Sequence, residues 1–129
     1  MIVDTSVIIA ILRGESQSPA LARALQGSRN LRISAANYFE AAIVTDSNRD
    51  PVLSRRLDDL LHDAAIAIEP VTAQQARIAR EAYRDFGKGH HRAGLNFGDC
   101  FAYALAKTTG EPLLFKGDDF CHTDIEPGE

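Results

Sequence analysis

The chain has 129 residues, of which 45% are hydrophobic and 25% are charged. This is the composition of a globular domain, and it excludes a disordered or fibrous chain. The length predicts a single domain over residues 1–129. No apolar run reaches the ~18 residues that a membrane helix requires, no secretory leader is visible, and two cysteines are too few for a disulfide framework. We therefore expect a cytoplasmic protein that has no membrane partner.

Lysine and arginine together number 14 and the acids number 18, so the net charge is -4. This balance excludes binding of nucleic acid through overall positive charge, although a local basic surface remains compatible with it. Most of the cations are arginine, whose planar guanidinium suits paired contacts with phosphate.

The first half of the chain is predicted to alternate short strands with helices. Met1-Ile2-Val3 is apolar, and the polar residues after it are typical of a helix start. In chain order we predict a strand at 2–4, helices at about 6–12 and 19–26, a strand at 31–33, a helix from the cap Ser34 to about Asp46, and a helix that begins at Asp50-Pro51.

The second half continues this alternation. We predict a strand at 67–69, a helix opened by a capping box of Thr72 and Gln75, a glycine-rich basic loop at 87–94 with little order of its own, a helix at 97–109 capped by Asn96, a strand at 112–115 and a turn at 117–120. Strands separated by helices predict an α/β fold, here a three-layer α/β/α sandwich with a central parallel sheet.

Two of the predicted strands lead into aspartate. Asp4 follows the first strand, and Asp118 and Asp119 follow the last. In an open parallel sheet, ligands collect at the carboxyl ends of the strands, so these carboxylates would share one edge. Each could instead be a helix N-cap.

Glu40 lies within an apolar stripe of its predicted helix. Ala36, Phe39, Ile43 and Val44 stand at helical spacing around it. A buried, unpaired carboxylate there would cost several kcal/mol, so we expect a cation close to Glu40, either a buried arginine or a metal ion.

Asp99 falls in the first turn of a predicted helix, three residues after the cap Asn96. A negative charge is favourable there, and Asp99 could serve only as part of a capping box. The neighbouring Gly98 is consistent with close approach of another backbone or of a ligand.

These acids come from four separate segments that a doubly wound sheet could bring together. Carboxylates held together repel one another, and an oxygen-only cluster is what Mg²⁺ or Mn²⁺ requires. Such a site suits hydrolysis of a phosphodiester, because the ion activates water and neutralises charge that grows on the phosphate.

The sequence resembles the PIN-domain ribonucleases, specifically the VapC toxins of type II toxin–antitoxin systems. The motifs that carry the resemblance are Met1-Ile-Val-Asp-Thr-Ser6, Asn37-Tyr-Phe-Glu40, Asn96-Phe-Gly-Asp-Cys-Phe-Ala-Tyr-Ala-Leu-Ala106 and Leu113-Leu-Phe-Lys-Gly-Asp-Asp-Phe120. The resemblance implies a metal-dependent endoribonuclease that cuts RNA with water as the attacking group. It also implies a homodimer and a VapB-type antitoxin that inhibits it.

The same resemblance assigns roles to individual residues. Asp4 and Asp99 match the main Mg²⁺ ligands of the family, and Glu40 matches a third acid that supports the metal or a water bound to it. The fourth acid is Asp119 or Asp118, and we favour Asp119 because it directly precedes Phe120. The polar positions that steady the site are matched by Thr5 and Ser6.

Four cations are candidates for contacts with the RNA phosphates. Lys116 lies close to the acids of the last turn, and Arg13 follows the first predicted helix. Lys88 and Arg92 belong to the basic loop, together with two histidines. The alternative for this loop is a flexible, solvated connector.

Two other classes of protein were considered. A receiver-like signalling domain that binds Mg²⁺ is also α/β, and Lys116 would suit it, but the middle strand 67–69 is not followed by the acceptor aspartate that this fold needs. An interaction protein whose acids bind a basic partner would explain the charge, but not why four acids should meet beside a sheet.

Overall fold

The computed structural model describes residues 1–129, and it contains four strands, six α-helices and one short 3₁₀-helix. In chain order the elements are β1 (Ile2–Val3), α1 (Thr5–Arg13), α2 (Ser18–Gln26), β2 (Arg32–Ser34), α3 (Ala35–Asp46), α4 (Pro51–Asp63), β3 (Ala67–Glu69), α5 (Ala73–Phe86), α6 (Phe97–Thr109), β4 (Leu113–Leu114) and the 3₁₀-helix (Asp119–His122). None of the helices combines the length and the apolar character that a membrane span requires. The two cysteines are unpaired.

The four strands form one sheet in the order β3-β2-β1-β4, and every neighbouring pair is parallel. The chain moves outward from β1 through β2 to β3, and then crosses back to place β4 on the other side of β1. The strand order therefore reverses between β1 and β4. In open α/β sheets, the crevice beyond the carboxyl ends of the strands at this reversal is where ligands bind.

Helices cover both faces of the sheet and create two apolar cores. Ile2 and Leu113 belong to the core formed with α5 and α6. Their chain neighbours Val3 and Leu114 belong to the core formed with α1, α2, α3 and α4. Because successive strand residues point to opposite faces, two buried residues per strand are enough to join both layers. The predicted three-layer α/β/α sandwich is confirmed.

The predicted elements agree with the structure to within a few residues. The first strand ends at Val3 rather than at residue 4, because the Asp4 side chain caps α1 by accepting a hydrogen bond from the Ser6 backbone N–H. The predicted cap Asn96 accepts a hydrogen bond at the start of α6, and Asp50, where a helix was predicted to begin, caps α4 in the same way. Of the capping box predicted for Thr72 and Gln75, the structure shows one half, in which the Thr72 hydroxyl accepts from the Gln75 N–H.

The loop 87–94 is more ordered than we predicted. Its two histidine rings pack edge-to-face on α5, His90 against Tyr83 and His91 against Phe86, with ring centroids 4.9 and 5.2 Å apart. The Lys88 N–H donates to the Leu95 carbonyl at 2.9 Å. The sequence motif suggested freedom because glycine is abundant, but the aromatic face of α5 provides a surface that the imidazoles cover.

Candidate functional site

Asp4 is an almost fully buried carboxylate at the carboxyl end of β1. Its exposed fraction is only 4%. The Oδ2 atom accepts a hydrogen bond of 3.0 Å from the Ser6 N–H, whereas the buried Oδ1 atom has no hydrogen-bond partner. An unsatisfied buried polar atom is costly, so this oxygen is available to a ligand that donates or carries positive charge.

The surroundings of Asp4 oppose its ionisation. Burial is the largest effect and raises the pKa of Asp4, and the negative charge of Glu40 raises it further. The hydrogen bonds from Ser6 act in the opposite direction without offsetting the burial. No lysine, arginine or histidine forms an ion pair with Asp4. A cation at this position would favour the ionised carboxylate.

Asp99 lies in the first turn of α6, where it forms a capping box with Asn96. The Asp99 Oδ2 atom accepts from the Asn96 N–H at 3.0 Å, and the Asn96 Oδ1 atom accepts from the Asp99 N–H at 2.9 Å. Loss of hydration raises the pKa of Asp99 to about 7, and the charges of Asp4, Asp119 and Glu40 contribute to the rise. The capping role alone would not raise this pKa, because a hydrogen bond from a backbone N–H lowers it.

The charges that raise the pKa of Asp99 identify which of the predicted acids lie near it. Asp4, Glu40 and Asp119 all act on Asp99, so the four acids that were predicted from separate segments share one edge of the sheet. Asp119 is the first residue of the 3₁₀-helix and is exposed. Asp118 is also exposed. The choice of Asp119 as the fourth acid therefore stays a prediction.

Glu40 does not occupy the environment that the apolar stripe predicted. The buried face of α3 is formed by Asn37, Ala41 and Thr45, whereas Phe39 and Ile43 are exposed. Glu40 is half-buried, and no ion pair contains it, so of the two alternatives the salt bridge to a buried arginine is wrong, and the metal ion stays a prediction. Phe39 and Ile43 of the stripe face outward, whereas small and polar residues form the core-facing side of α3.

Gly98 allows the Glu40 carboxylate to approach α6. A Cβ atom built on Gly98 would lie 2.5 Å from both Glu40 carboxylate oxygens. A close approach was predicted here for another backbone or a ligand, and the group that approaches is instead a side chain from α3. The missing Cβ therefore brings Glu40 beside the turn that carries Asp99.

The hydroxyls of Thr5 and Ser6 connect the start of α1 to α3 and to the residues after β4. The Thr5 hydroxyl donates to the Asn37 backbone carbonyl at 2.9 Å, and the Ser6 hydroxyl accepts from the Lys116 N–H at 2.9 Å. Asn37 belongs to one of the sequence motifs, but no role was predicted for it from the sequence. Its amide is completely buried, and its Nδ2 atom donates to the Gly98 carbonyl at 2.9 Å. An amide on the buried face of a helix is the sequence signal that could have identified it.

The candidate phosphate-binding cations lie at different distances from the acids. The Lys116 ammonium is paired with Glu15, so a phosphate contact would have to replace this ion pair. Arg13 ends α1, whereas Asp4 precedes its first residue, which separates them by roughly 13 Å along the helix. Lys88 and Arg92 are exposed on the 87–94 loop, whose last residues lead into α6.

The acids are neighbours, but they do not form a finished coordination sphere. No group of three or more His, Cys, Asp or Glu side chains is arranged to hold one metal ion. Electrostatic coupling acts over several ångströms, whereas Mg²⁺ ligation requires oxygens at about 2.0–2.1 Å. The coupling therefore describes a shared region, and direct ligation by three side chains would require rotation of at least one of them.

Comparison with known proteins agrees with this geometry. The PIN domain family model matches residues 1–126. Ribonuclease VapC28 of Mycobacterium tuberculosis is 59% identical over 127 residues, which cover 98% of this chain and 96% of that protein. Ribonuclease VapC42 of the same organism is 55% identical over 128 residues, which cover 98% of each chain.

Solved structures with the same fold include two of low sequence identity. The crystal structure of Mycobacterium tuberculosis VapC20, described as a Sarcin-Ricin loop cleaving toxin, has a TM-score of 0.77 at 16% identity, and the match covers 96% of this chain and 95% of that one. The structure of VapBC2 from Rickettsia felis bound to a promoter DNA fragment has a TM-score of 0.75 at 10% identity, with coverage of 98% and 94%.

The fold and its acidic edge define a PIN domain, and this chain belongs to the PIN-domain family. Within that family, the curated relatives place it among the VapC proteins. This assignment confirms the resemblance seen in the motifs. A receiver-like signalling domain, the alternative from the sequence, is not favoured.

Proposed function

We propose that this protein is an endoribonuclease toxin of the VapC type that hydrolyses phosphodiester bonds in RNA. The observation that carries the proposal is the convergence of Asp4, Glu40, Asp99 and Asp119 at the strand-order reversal, with a buried Asp4 oxygen that has no partner. The names of relatives that are 55% and 59% identical over nearly the whole chain support the same activity.

A divalent cation, Mg²⁺ or Mn²⁺, fits this set of donors. Every candidate donor is a carboxylate oxygen, and Mg²⁺ commonly binds through one or two carboxylates while it keeps several waters, so a three-ligand cage is not needed. Asp4 and Asp99 would hold the ion, and its charge would reduce the repulsion that the acids exert on one another. When bound, the ion supplies a more acidic water and neutralises charge on the phosphate.

The remaining side chains of the edge would orient water and substrate. The Glu40 carboxylate lies against Gly98, and it would accept a proton from a water beside Asp99. Asp119 is exposed at the start of the 3₁₀-helix and can reach the same region from the solvent side. Lys88 and Arg92 would bind RNA phosphates, and Lys116 would do so after it leaves Glu15.

We also propose a VapB-type antitoxin as the inhibitory partner. Among the proteins with this fold is a VapBC2 assembly from Rickettsia felis, and the relatives carry the VapC name. An exposed carboxylate such as that of Asp119 offers a place where a basic side chain of an inhibitor could compete with the cation.

An exposed apolar face on α3 and α6 favours a homodimer. Phe97 is 80% exposed, Phe39 64% and Ile43 52%, and they line one groove with Glu40 and Gly98. With Tyr83 of α5, which is 44% exposed, these side chains present roughly 450 Å² of mostly apolar surface. Two copies would bury about twice this area, which approaches the ~1,000 Å² of a specific interface before any rim residue is counted.

The direct test of the proposed function is cleavage of single-stranded RNA by the purified protein. We expect cleavage in Mg²⁺ or Mn²⁺, no cleavage in excess EDTA, and recovery when the cation is restored. Equal cleavage with and without EDTA would contradict the metal-dependent mechanism. Transfer of phosphate from acetyl phosphate to the protein, without RNA cleavage, would instead support a receiver-like domain.

A further inference from the structure

Asn37 is a polar side chain in a position where an apolar one would cost less. Its exposed fraction is 0%, and it lies on the core-facing side of α3. Burial of an amide is unfavourable unless its hydrogen bonds compensate. An apolar side chain of the same branched shape, such as leucine, would not carry that cost, so burial alone does not explain an asparagine.

The hydrogen bonds of Asn37 connect the segments that carry two of the acids. Its Nδ2 atom donates to the Gly98 carbonyl at 2.9 Å, and Gly98 directly precedes Asp99. Its backbone carbonyl accepts from the Thr5 hydroxyl at 2.9 Å, and Thr5 directly follows Asp4. One residue of α3 is therefore joined to the start of α1 and to the first turn of α6.

The orientation of the amide is set by its partner. A carbonyl oxygen can only accept, so the nitrogen of the Asn37 amide must face Gly98 and the oxygen must face away. That Oδ1 atom is buried and has no partner. Its burial without a partner lowers the stability of the fold, and the hydrogen bond from Nδ2 to α6 is the only compensation that the amide makes.

The first turn of α6 is closed by its own capping box, and the Asn37 side chain bonds the backbone of this turn to α3. Gly98 has no side chain, and the group that contacts its α-carbon side is the charged Glu40 carboxylate, which Asp99 repels. The Asn37 bond is directed to the backbone of this turn and does not depend on the charges of the acids. It can thus hold Asp99 near Asp4 against their mutual repulsion.

We infer that Asn37 is a positioning residue, which holds the first turn of α6 so that Asp99 and Asp4 stand at the separation that one divalent cation requires. The inference rests on the proposed function in so far as the cation is concerned. Residues that orient metal ligands through hydrogen bonds typically change metal affinity 10–100-fold when they are replaced.

The test compares Asn37→Leu with Thr45→Val, a matched control on the same buried face of α3. Thr45 is 2% exposed, and its replacement also removes one buried polar side chain. For each protein we would measure Mn²⁺ affinity by calorimetry, and amide hydrogen exchange at Asp99 and Cys100 in the absence of metal. Asn37→Ser, which also lacks the amide donor, replaces Asn37→Leu if the latter does not fold.

We expect Asn37→Leu to weaken Mn²⁺ binding at least about tenfold and to accelerate exchange at Asp99 and Cys100, while Thr45→Val changes neither. RNA cleavage should lose kcat with little change in KM. Wild-type values in Asn37→Leu, or equal changes in both variants, would overturn the inference. If the wild type binds no Mn²⁺, the proposed metal-dependent function fails, and the exchange rates still decide whether Asn37 holds this turn.

Discussion

The acidic residue at the amino ends of the strands has cationic partners, whereas those at the carboxyl ends have none. At the amino edge, Glu111 pairs with both the Met1 ammonium and Arg32. At the carboxyl edge, Asp4, Glu40, Asp99 and Asp119 have no cationic partner in the protein. The first arrangement balances charge within the fold, and the second leaves negative charge for a ligand to balance.

This contrast separates stability from function within one small sheet. Ion pairs at the amino edge tie the start of the chain to β2 and to the residues before β4. The acids of the carboxyl edge raise one another's pKa and so oppose the fold that holds them. Active sites are commonly the places where a protein tolerates such repulsion.

The largest expected effect is on RNA cleavage. Asp4→Asn and Asp99→Asn should each lower cleavage at least about a hundredfold, because each removes a charge that holds the cation. Both variants should fold, since asparagine retains the capping oxygen. Cleavage rates measured beside circular dichroism would check this, and near-wild-type cleavage by either variant would remove that acid from the mechanism.

The next effect concerns the apolar face beside the acidic edge. Phe97→Glu should convert a dimer into a monomer, because it places a charge in the middle of the proposed interface. Light scattering coupled to gel filtration would measure the mass, with Val52→Glu on α4 as the control. Val52 is also exposed, at 69%, but lies on another helix. Equal masses for Phe97→Glu and the wild type would place the interface elsewhere.

A smaller effect is expected at the amino edge. Glu111→Gln should lower the free energy of unfolding by about 1–2 kcal/mol, because the Met1 ammonium and Arg32 lose their shared carboxylate. RNA cleavage should stay within about twofold of the wild type after correction for folded fraction. Urea unfolding and cleavage assays on the same sample would measure the effects on stability and on activity separately. A large loss of cleavage would show that the amino edge also contributes to activity.

The last effect is a dependence of stability on pH. The ordinary pKa of Asp99 is 3.8 and its folded value is about 7, so the folded protein binds more protons between these values than the unfolded one does. The free energy of unfolding of the metal-free protein should therefore fall as pH rises through this interval. Asp99→Asn should reduce the fall, and Glu111→Gln should not. Thermal melting across this pH range in EDTA would detect the difference.

The individual acids could be predicted because strand ends and helix starts leave strong local signals. Asp4 and Asp99 both occupy N-cap or first-turn positions, which short-range sequence patterns identify. Glu40 could not be placed in the same way. Its helix has apolar residues on more than one face, and only contact with the sheet and with α6 decided that Ala41 turns inward and Phe39 outward.

The sequence by itself determined the alternation of strands and helices, the capping residues, and the acids that follow the strands. These properties depend on neighbours within a few positions along the chain, where backbone geometry and burial patterns act directly. Tertiary structure alone decided that the Glu40 carboxylate lies against Gly98, that the loop histidines rest on α5, and that Asn37 joins α3 to Gly98. Such contacts join residues far apart in the chain, and their energies depend on distances that exist only after the layers have packed.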